Sequence, residues 1–423
     1  MQELREYVNQ RVDGNSGLKT SRYGGPTSVT EDSGRQWSHP RWVRINTLKT
    51  SLDEQLATTF AEYTRVNTID EVLTQVTRGQ LLHVDKHIPN LVAISSSTEV
   101  STLPAYRKGL LILQDKASCF PAHLLDPQPN HGDLVDACAA PGNKTTHLAA
   151  IVNSRQSQKD QTTIWACERD PGRARILERM ITIAGTNKLV ALKPGQDFMR
   201  ICPQKEPWCS VGALLLDPSC SGSGIVGRDE TLIFDLPSRE AGAAHVSDSK
   251  KRKRKEKDTI VTTAPNHEVD EGIAIQEDET AKELQSRLAS LSAFQTKLLL
   301  HAMSFPQARK ITYSTCSVHA EENENVVLSA LHSDIARLVG WRILSRGEQI
   351  EGLRSWPVRG IVLACKNGSM EDSLAEDVAD ACIRCEKGTK DGTQGFFVAA
   401  FVRDLVDRET SVPEDEWEGF EDD

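Results

Sequence analysis

The residues best suited to chemistry are a carboxylate and a thiol close together in Leu214-Leu215-Leu216-Asp217-Pro218-Ser219-Cys220-Ser221-Gly222-Ser223-Gly224. Three consecutive leucines after Val211-Gly212-Ala213 predict a buried parallel strand. Asp217 then sits at its carboxyl end, where open α/β sheets bind their ligands. Pro218 ends the strand, and the small residues beyond it let a substrate approach the Cys220 sulfur. A second thiol, Cys316, follows a predicted strand from Lys310 to Tyr313. Adjacent parallel strands lie about 5 Å apart, so both sulfurs can line one pocket. The competing reading of each thiol is a buried cysteine in a tight turn.

A thiolate is a strong nucleophile at modest pKa. Cytosine is a substrate that needs one, because its C5 is a poor nucleophile until something adds at C6. A thiolate adding at C6 makes C5 enamine-like and able to take a methyl group. The C5 proton must then be removed and the thiol expelled, and a second thiol or a bound water can serve as the base. A carboxylate such as Asp217, bonded to N3 and the exocyclic amine, would stabilise the adduct. The residues alone do not say which thiol attacks.

A second cluster lies in Cys138-Ala139-Ala140-Pro141-Gly142-Asn143-Lys144-Thr145, a small-residue turn between a predicted strand, 134–137, and a helix reaching about Val152. Backbone N–H groups at such a helix start can meet an anionic or polar ligand group. Neither GxxxxGK[ST] nor GxGxxG is present, so the turn is not a P-loop or a dinucleotide fingerprint. Glu168 ends the next predicted strand, and a carboxylate there usually partners the two hydroxyls of a ribose. Asp197 follows the third, Leu189 to Leu192, and is placed to face an adenine edge. Each carboxylate alone reads as an ordinary cap or surface residue. Three at successive strand ends point to a nucleoside-bearing ligand without a polyphosphate, and S-adenosylmethionine (SAM) fits.

The elements that must position these groups alternate strand and helix from Asp133 onward, which predicts a doubly wound parallel sheet. Pro171 opens a helix with Ile176, Leu177, Met180 and Ile183 on one face. A small α+β domain, 38–112, is expected ahead of the larger one, 113–405. It includes a strand Arg41–Asn46, a helix capped by Ser51 with Glu54 and running to about Tyr63, and a strand Leu91–Ile94. Leu110–Leu113 and a helix opened by Gln114-Asp115 form the junction. Residues 226–279 are polar and aperiodic and read as a disordered insertion. An amphipathic helix follows, carrying Leu284, Leu288, Leu291, Leu298 and Ala302, and another is expected from about Glu321 to Leu331. Gly360–Lys366 and Gly395–Arg403 read as late strands forming an antiparallel edge pair. Residues 1–37 are weakly patterned, with a short helix near Glu3–Arg11, and 406–423 form an acidic tail.

The chain has 423 residues, 38% of them hydrophobic, and a net charge of -10; its mean hydropathy is -0.41. No apolar run is long enough to span a bilayer and no signal-peptide pattern is seen, so no membrane partner is expected. Ten scattered cysteines fit a reducing compartment. The Cys382/Cys385 pair is a lone CxxC without nearby histidines and is not read as a zinc site; no metal is expected. The charge is uneven: residues 250–257 read KKRKRKEK, a candidate nuclear-localisation signal or RNA-contacting arm. Overall acidity disfavours broad, charge-driven duplex binding. A base that is methylated must be single-stranded or flipped out.

Taken together, these motifs resemble the NOP/Sun, or RsmB-type, RNA cytosine-C5 methyltransferases. The matching stretches are CAAPGNKT (138–145), ACERDPGR (166–173), LLLDPSCSGSG (214–224) and YSTCSVHAEENENVV (313–327), with weaker matches at RINTLK (44–49), LQDKAS (113–118) and GFFVAAFVR (395–403). The resemblance implies a Rossmann-like SAM-dependent methyltransferase fold, a seven-stranded mostly parallel sheet with one antiparallel strand. It implies that Cys138, Ala139, Ala140, Pro141, Gly142, Asn143 and Lys144 wrap SAM and that Glu168, where many relatives have Asp, holds the ribose. Arg173 and Asp197 would complete the cofactor site, and Asp217 would lie between cofactor and base. Cys316 would be the nucleophile and Cys220 would assist release of the methylated RNA. The arrangement is most similar to the eukaryotic branch that modifies large-subunit rRNA, which implies a monomeric nuclear, nucleolar enzyme. The alternatives are a tRNA or DNA cytosine methyltransferase and a non-catalytic rRNA-binding ribosome-assembly factor. Relatives usually carry a longer helical region ahead of the RINTLK-like strand. Its lack here reads as a shortened or divergent chain, with the expected effect on the small domain's folding and RNA grip and not on the chemistry.

Overall fold

Two sheets position these residues in the computed structural model, which describes residues 39–74, 80–155, 162–225, 271–366 and 372–404. The segment 1–37, the basic block at 250–257 and the acidic tail lie outside the described residues. The first sheet is built from β1 (Arg41–Ile45), β2 (Thr64–Val66), β3 (Leu81–Val84), β4 (Leu91–Ile94) and β5 (Leu111–Leu113), in the order β2-β3-β4-β1-β5. Short helices α1 (Leu52–Ala57) and α2 (Ile69–Thr74) belong to it, and one further helical turn spans Pro104–Arg107. Ser51 caps α1 by accepting the Glu54 N–H at 3.1 Å. The helix stops well before Tyr63, however. The Thr58 hydroxyl bonds back to the Glu54 carbonyl at 2.7 Å, and paired β-branched threonines favour leaving the helix.

Strand β1 serves two masters because side chains alternate across a strand. Val43 and Ile45 are buried in the core of the small sheet. Trp42 and Arg44 face the other way: the Trp42 indole donates to the Gly392 carbonyl at 2.7 Å, and Arg44 donates to Gln114 (2.7 Å) and Thr146 (2.9 Å). Next to them the buried Lys116 bonds Asp85 (2.5 Å) and His87 (2.9 Å) between the rings of Trp42 and Trp356. The small sheet is therefore docked by buried polar groups that are all partnered by the larger unit or by each other, apart from one Arg44 nitrogen.

The second sheet comprises β6 (Asp133–Asp136), β7 (Ile164–Glu168), β8 (Val190–Pro194), β9 (Val211–Leu216), β10 (Lys310–Thr315), β11 (Arg342–Ile343), β12 (Ile383–Cys385) and β13 (Phe396–Val402). Its order is β11-β13-β10-β9-β6-β7-β8, with β12 also on β13. Strands β10, β9, β6, β7 and β8 run parallel, and β13 is antiparallel to its neighbours. Helices α3 (Lys116–Leu125), α4 (Asn143–Arg155), α5 (Pro171–Ala184), α6 (Glu271–Met303) and α7 (Glu324–Leu331) accompany it. Strand order reverses at β6, so the ends of β6 and β9 form the crevice where such sheets bind ligands. All six residues of β9 are buried, as a strand covered on both faces requires. Each of its three leucines contributes about 1.5–3 kcal/mol by burial.

Two further expectations are corrected. Gly360–Lys366 is not a strand: Val362–Cys365 forms a short helix with Ala364 and Cys365 buried. A short apolar run fits either element, and β13 has no edge left for it. Strand β13 is internal, flanked by β10 on one side and by β11 and β12 on the other. Helix α6 begins at Glu271, inside the stretch read as disordered; its Ala-, Glu-, Gln- and Lys-rich sequence has high helix propensity. Of the predicted apolar face, Leu288, Leu298 and Ala302 are buried while Leu284 is exposed. No helix among the described residues is long and apolar enough to cross a membrane.

The end of β10 is locked by the following turn. Glu324 is fully buried and takes two bonds from Arg384 on β12, at 2.7 and 2.6 Å. Removing one partner of such a pair strands the other charge. Arg384→Ala should lose about 3–5 kcal/mol of unfolding free energy in chemical denaturation; a loss below about 1 kcal/mol would contradict this account of the pair.

Candidate active site

Register alone brings the two thiol-bearing ends together. Tyr313 on β10 pairs with Leu216 on β9, so Ser314 lies beside Asp217 and its hydroxyl donates to that carboxylate at 2.7 Å. Beyond the strands, the Cys220 and Cys316 sulfurs approach to 3.0 Å. Gly224 makes this approach possible. Its N–H donates to the Cys316 carbonyl at 3.0 Å, and its carbonyl accepts from Gly395 N–H at 2.9 Å. A Cβ on Gly224 would sit 2.1 Å from the Gly395 carbonyl oxygen.

Lys144, in the first turn of α4, reaches across to Asp217 at 2.7 Å and to the Ser118 hydroxyl at 3.2 Å. Burial works against its ammonium, but Asp217, by charge and hydrogen bond, outweighs it and raises the pKa. The two thiols are pushed apart. The hydrogen bond from Cys220 lowers the Cys316 pKa against burial and the Asp217 charge, with Lys144 helping. The same bond, with burial, raises Cys220. Both directions favour a Cys316 thiolate accepting from a Cys220 thiol.

A cavity of about 660 Å³ opens onto this group. Its walls include Cys138–Pro141, Asn143, Lys144, Asp217 and Cys316 from the larger sheet, together with Trp42 and Tyr106 from the small domain. Gly142 turns the wall at φ +112, and a Cβ there would lie 2.9 Å from the Met180 side chain. The turn is braced from behind. Asp136, at the end of β6, accepts from the Thr145 hydroxyl at 2.7 Å, and burial pushes its carboxyl up to about 6. Arg173 donates to the Ala140 carbonyl at 2.7 Å and lies 3.7 Å from Glu168.

Not every expected site residue reaches the cavity. Glu168 is buried at the end of β7 and accepts from Asp170 N–H at 2.8 Å. Asp197 caps the turn Phe198–Arg200 through Met199 N–H at 3.0 Å. Gly142, Glu168, Arg173, Asp197 and Cys220 do not line it. Sequence reasoning missed Ser314, Ser118 and Asp136. The only signal for Ser314 was its register opposite the β9 end, which needs the strand order. Cys382 and Cys385 are buried and unbridged, and burial pushes both thiols well above the ordinary range.

A lowered thiol pKa means thiolate persists to lower pH. Alkylation of Cys316 by iodoacetamide, followed by peptide mass spectrometry, should therefore show a midpoint below the ordinary cysteine range. Cys220→Ala and Lys144→Met should each move it to higher pH. An unchanged midpoint in both variants would rule out the proposed electrostatics.

The chain is similar to known proteins along both of its folded parts. Residues 122–252 match the family described as 16S rRNA methyltransferase RsmB/F. Residues 39–114 match the ferredoxin-like domain of NOL1/NOP2/Sun domain family member 5. The chain is 36% identical to the 25S rRNA (cytosine-C(5))-methyltransferase rcm1 of Schizosaccharomyces pombe, over 88% of this chain and 65% of that one. It is 32% identical to the 28S rRNA (cytosine-C(5))-methyltransferase of Mus musculus, over 88% of this chain and 64% of that one. It thus spans just under two thirds of the length of these relatives. The crystal structure of a methyltransferase homolog from Pyrococcus horikoshii superposes with a TM-score of 0.55 at 18% identity, over 86% of this chain and 87% of that one. That likeness establishes the methyltransferase fold with a small domain ahead of it, as expected from sequence. Along both of its folded parts the chain is thus similar to the NOP/Sun (RsmB-type) RNA cytosine-C5 methyltransferases.

Proposed function

We propose that this protein methylates C5 of a cytosine in large-subunit rRNA, with SAM as methyl donor, and so acts in ribosome biogenesis. The observation that carries the reading is the contact of 3.0 Å between the Cys220 and Cys316 sulfurs at the ends of two adjacent parallel strands, beside Asp217. The names of the two relatives above support the substrate class. The cavity volume falls in the usual range for ligand sites, about 300–1,000 Å³, and the wall from Cys138 to Lys144 offers backbone groups at a helix start, including the unpartnered Asn143 side-chain oxygen. The residues of this wall fit SAM and would hold it; Glu168, Arg173 and Asp197, expected on the nucleoside side, stand behind the wall and outside its lining. SAM supplies a methyl group on a sulfonium, ready for attack by a carbon nucleophile.

The chain's own groups do the rest. Cys316 thiolate adds to C6, forming an S–C6 bond and moving the C5–C6 electron pair to C5. Asp217, fixed by Lys144 and Ser314, accepts from the exocyclic amine and from N3 once that nitrogen is protonated. After C5 has gained its methyl group, a base removes the C5 proton, either a water or Cys220 once it has passed its own proton to water. The electron pair re-forms the double bond and expels Cys316. A leaving thiol of lower pKa departs faster, so the Cys220 hydrogen bond that stabilises the Cys316 thiolate also promotes release. The reading places the protein in the nucleus, at the nucleolus, through residues 250–257. Unchanged nuclear accumulation of a fluorescent fusion lacking them would argue against that signal.

The test is transfer of labelled methyl from SAM to unmodified large-subunit rRNA. Cys316→Ala should abolish transfer while SAM binding survives, and Cys220→Ala should accumulate an RNase-sensitive, slow-migrating covalent species on a denaturing gel. Wild-type protein that binds SAM and labels no rRNA would overturn the substrate. Full activity in Cys316→Ala would overturn the nucleophile.

A further inference from the structure

Cys220 sits in a loop of small residues, yet both peptide groups that flank it are held. The fully buried Glu322 lies in the turn after Cys316. Its Oε1 accepts the Ser221 N–H at 2.9 Å and the Gln295 side-chain amide at 3.0 Å. The same Gln295 nitrogen donates to the Ser219 carbonyl at 3.0 Å. Gln295 comes from α6 and is also fully buried. One carboxylate oxygen and one amide nitrogen therefore grip the chain immediately before and immediately after Cys220.

Glu322 is equally fixed to the Cys316 side. Its backbone carbonyl accepts the Tyr313 hydroxyl at 2.5 Å, and Tyr313 stands on β10 just ahead of Cys316. The neighbouring Asn323 bonds Thr315 at 2.6 Å and the Ser317 carbonyl at 3.0 Å. The grip is built at a cost. Glu322 Oε2 and Gln295 Oε1 are buried without a hydrogen-bond partner, and each such group is unfavourable unless the arrangement serves something else. A merely well-packed loop would not require a buried carboxylate there.

We propose that Glu322, acting with Gln295, is the positioning residue that sets Cys220 against Cys316 and thereby controls release of the methylated RNA. The second clause rests on the release role given to Cys220 above. Glu322 touches no substrate atom; it acts through the Ser219–Ser221 backbone. The role is specific to one oxygen. Glu322→Gln keeps an acceptor at Oε1 and turns an amide toward the unpartnered side. Glu322→Ala removes the grip on Ser221, and Gln295→Ala removes the grip on Ser219.

Two readouts separate the two clauses. The first is the rate at which diamide converts the Cys220 and Cys316 thiols to a disulfide, followed as the linked peptide pair by mass spectrometry. The reagent's N=N bond takes up the two hydrogens, so the reading needs no catalysis. Glu322→Ala and Gln295→Ala should slow this linkage, by up to roughly 10²-fold when sulfurs are displaced by about 1 Å, while Glu322→Gln stays close to wild type. The second is the covalent protein–RNA species on a denaturing gel, which should accumulate in Glu322→Ala as in Cys220→Ala and be absent in Glu322→Gln. Folding is checked by circular dichroism and SAM binding, and Gln295→Ala carries the test if Glu322→Ala does not fold. Wild-type linkage rates in a folded Glu322→Ala or Gln295→Ala variant would overturn the positioning role. Slowed linkage without adduct would retain the positioning of Cys220 and overturn its link to release. Equal defects in Glu322→Gln and Glu322→Ala would overturn the assignment to the Oε1 acceptor.

Discussion

Everything chemical in this structure depends on one contact, the 3.0 Å hydrogen bond between two sulfurs. Two thiols that close cannot both ionise cheaply, because the second thiolate would face the first in a water-poor crevice. The proton is therefore shared unevenly, and the surroundings decide which sulfur keeps it. Asp217 disfavours ionisation of both sulfurs, Lys144 favours that of Cys316, and the Cys220 hydrogen bond lowers the Cys316 pKa. Lys144 is held by Asp217, Asp217 by Ser314, and Ser314 by the β9–β10 register. A one-residue slip of that register would turn alternate side chains to the opposite face of the sheet and separate the whole set.

The contact also explains why the small domain matters. Residues of that domain complete the cavity wall, and their placement follows from the alternation of β1. Arg44 reaches the first turn of α4 at Thr146, next to the wall formed by Cys138–Lys144. Asn46 ties the small sheet to the carboxyl end of α5 by donating to the Ala184 carbonyl at 2.9 Å. Docking of the small domain and shape of the cavity are thus linked through backbone carbonyls and buried side chains.

Much of this was legible in the sequence where local signals coincide with function. The run Leu214–Leu216 followed by Asp217-Pro218 marks a buried strand and its stop, and the same logic found Cys316. The turn at Cys138–Thr145 and the helix start at Pro171 were equally explicit. What stayed hidden depends on strand order or burial. Lys144 was read as part of the cofactor wall, but its reach to Asp217 appears only once β6 and β9 are neighbours. Gln295 reads as a polar position on an amphipathic helix, yet it is buried against the Cys220 loop. The apolar run Gly360–Lys366 carried no period that separates strand from helix, and its helix is set by packing. Asp197 sits at a strand end as expected, but its carboxylate caps the following turn.

The measurement that bears most directly on the division of labour between the sulfurs uses RNA carrying 5-fluorocytosine at the target position. Fluorine cannot leave C5 as a proton does, so the adduct is held after methyl transfer. Mass spectrometry of the protein digested after incubation with SAM and this RNA locates the bond. The account predicts a methylated, fluorinated nucleotide on the peptide containing Cys316. The same mass on the Cys220 peptide, or no adduct from protein that binds both SAM and the RNA, would contradict it.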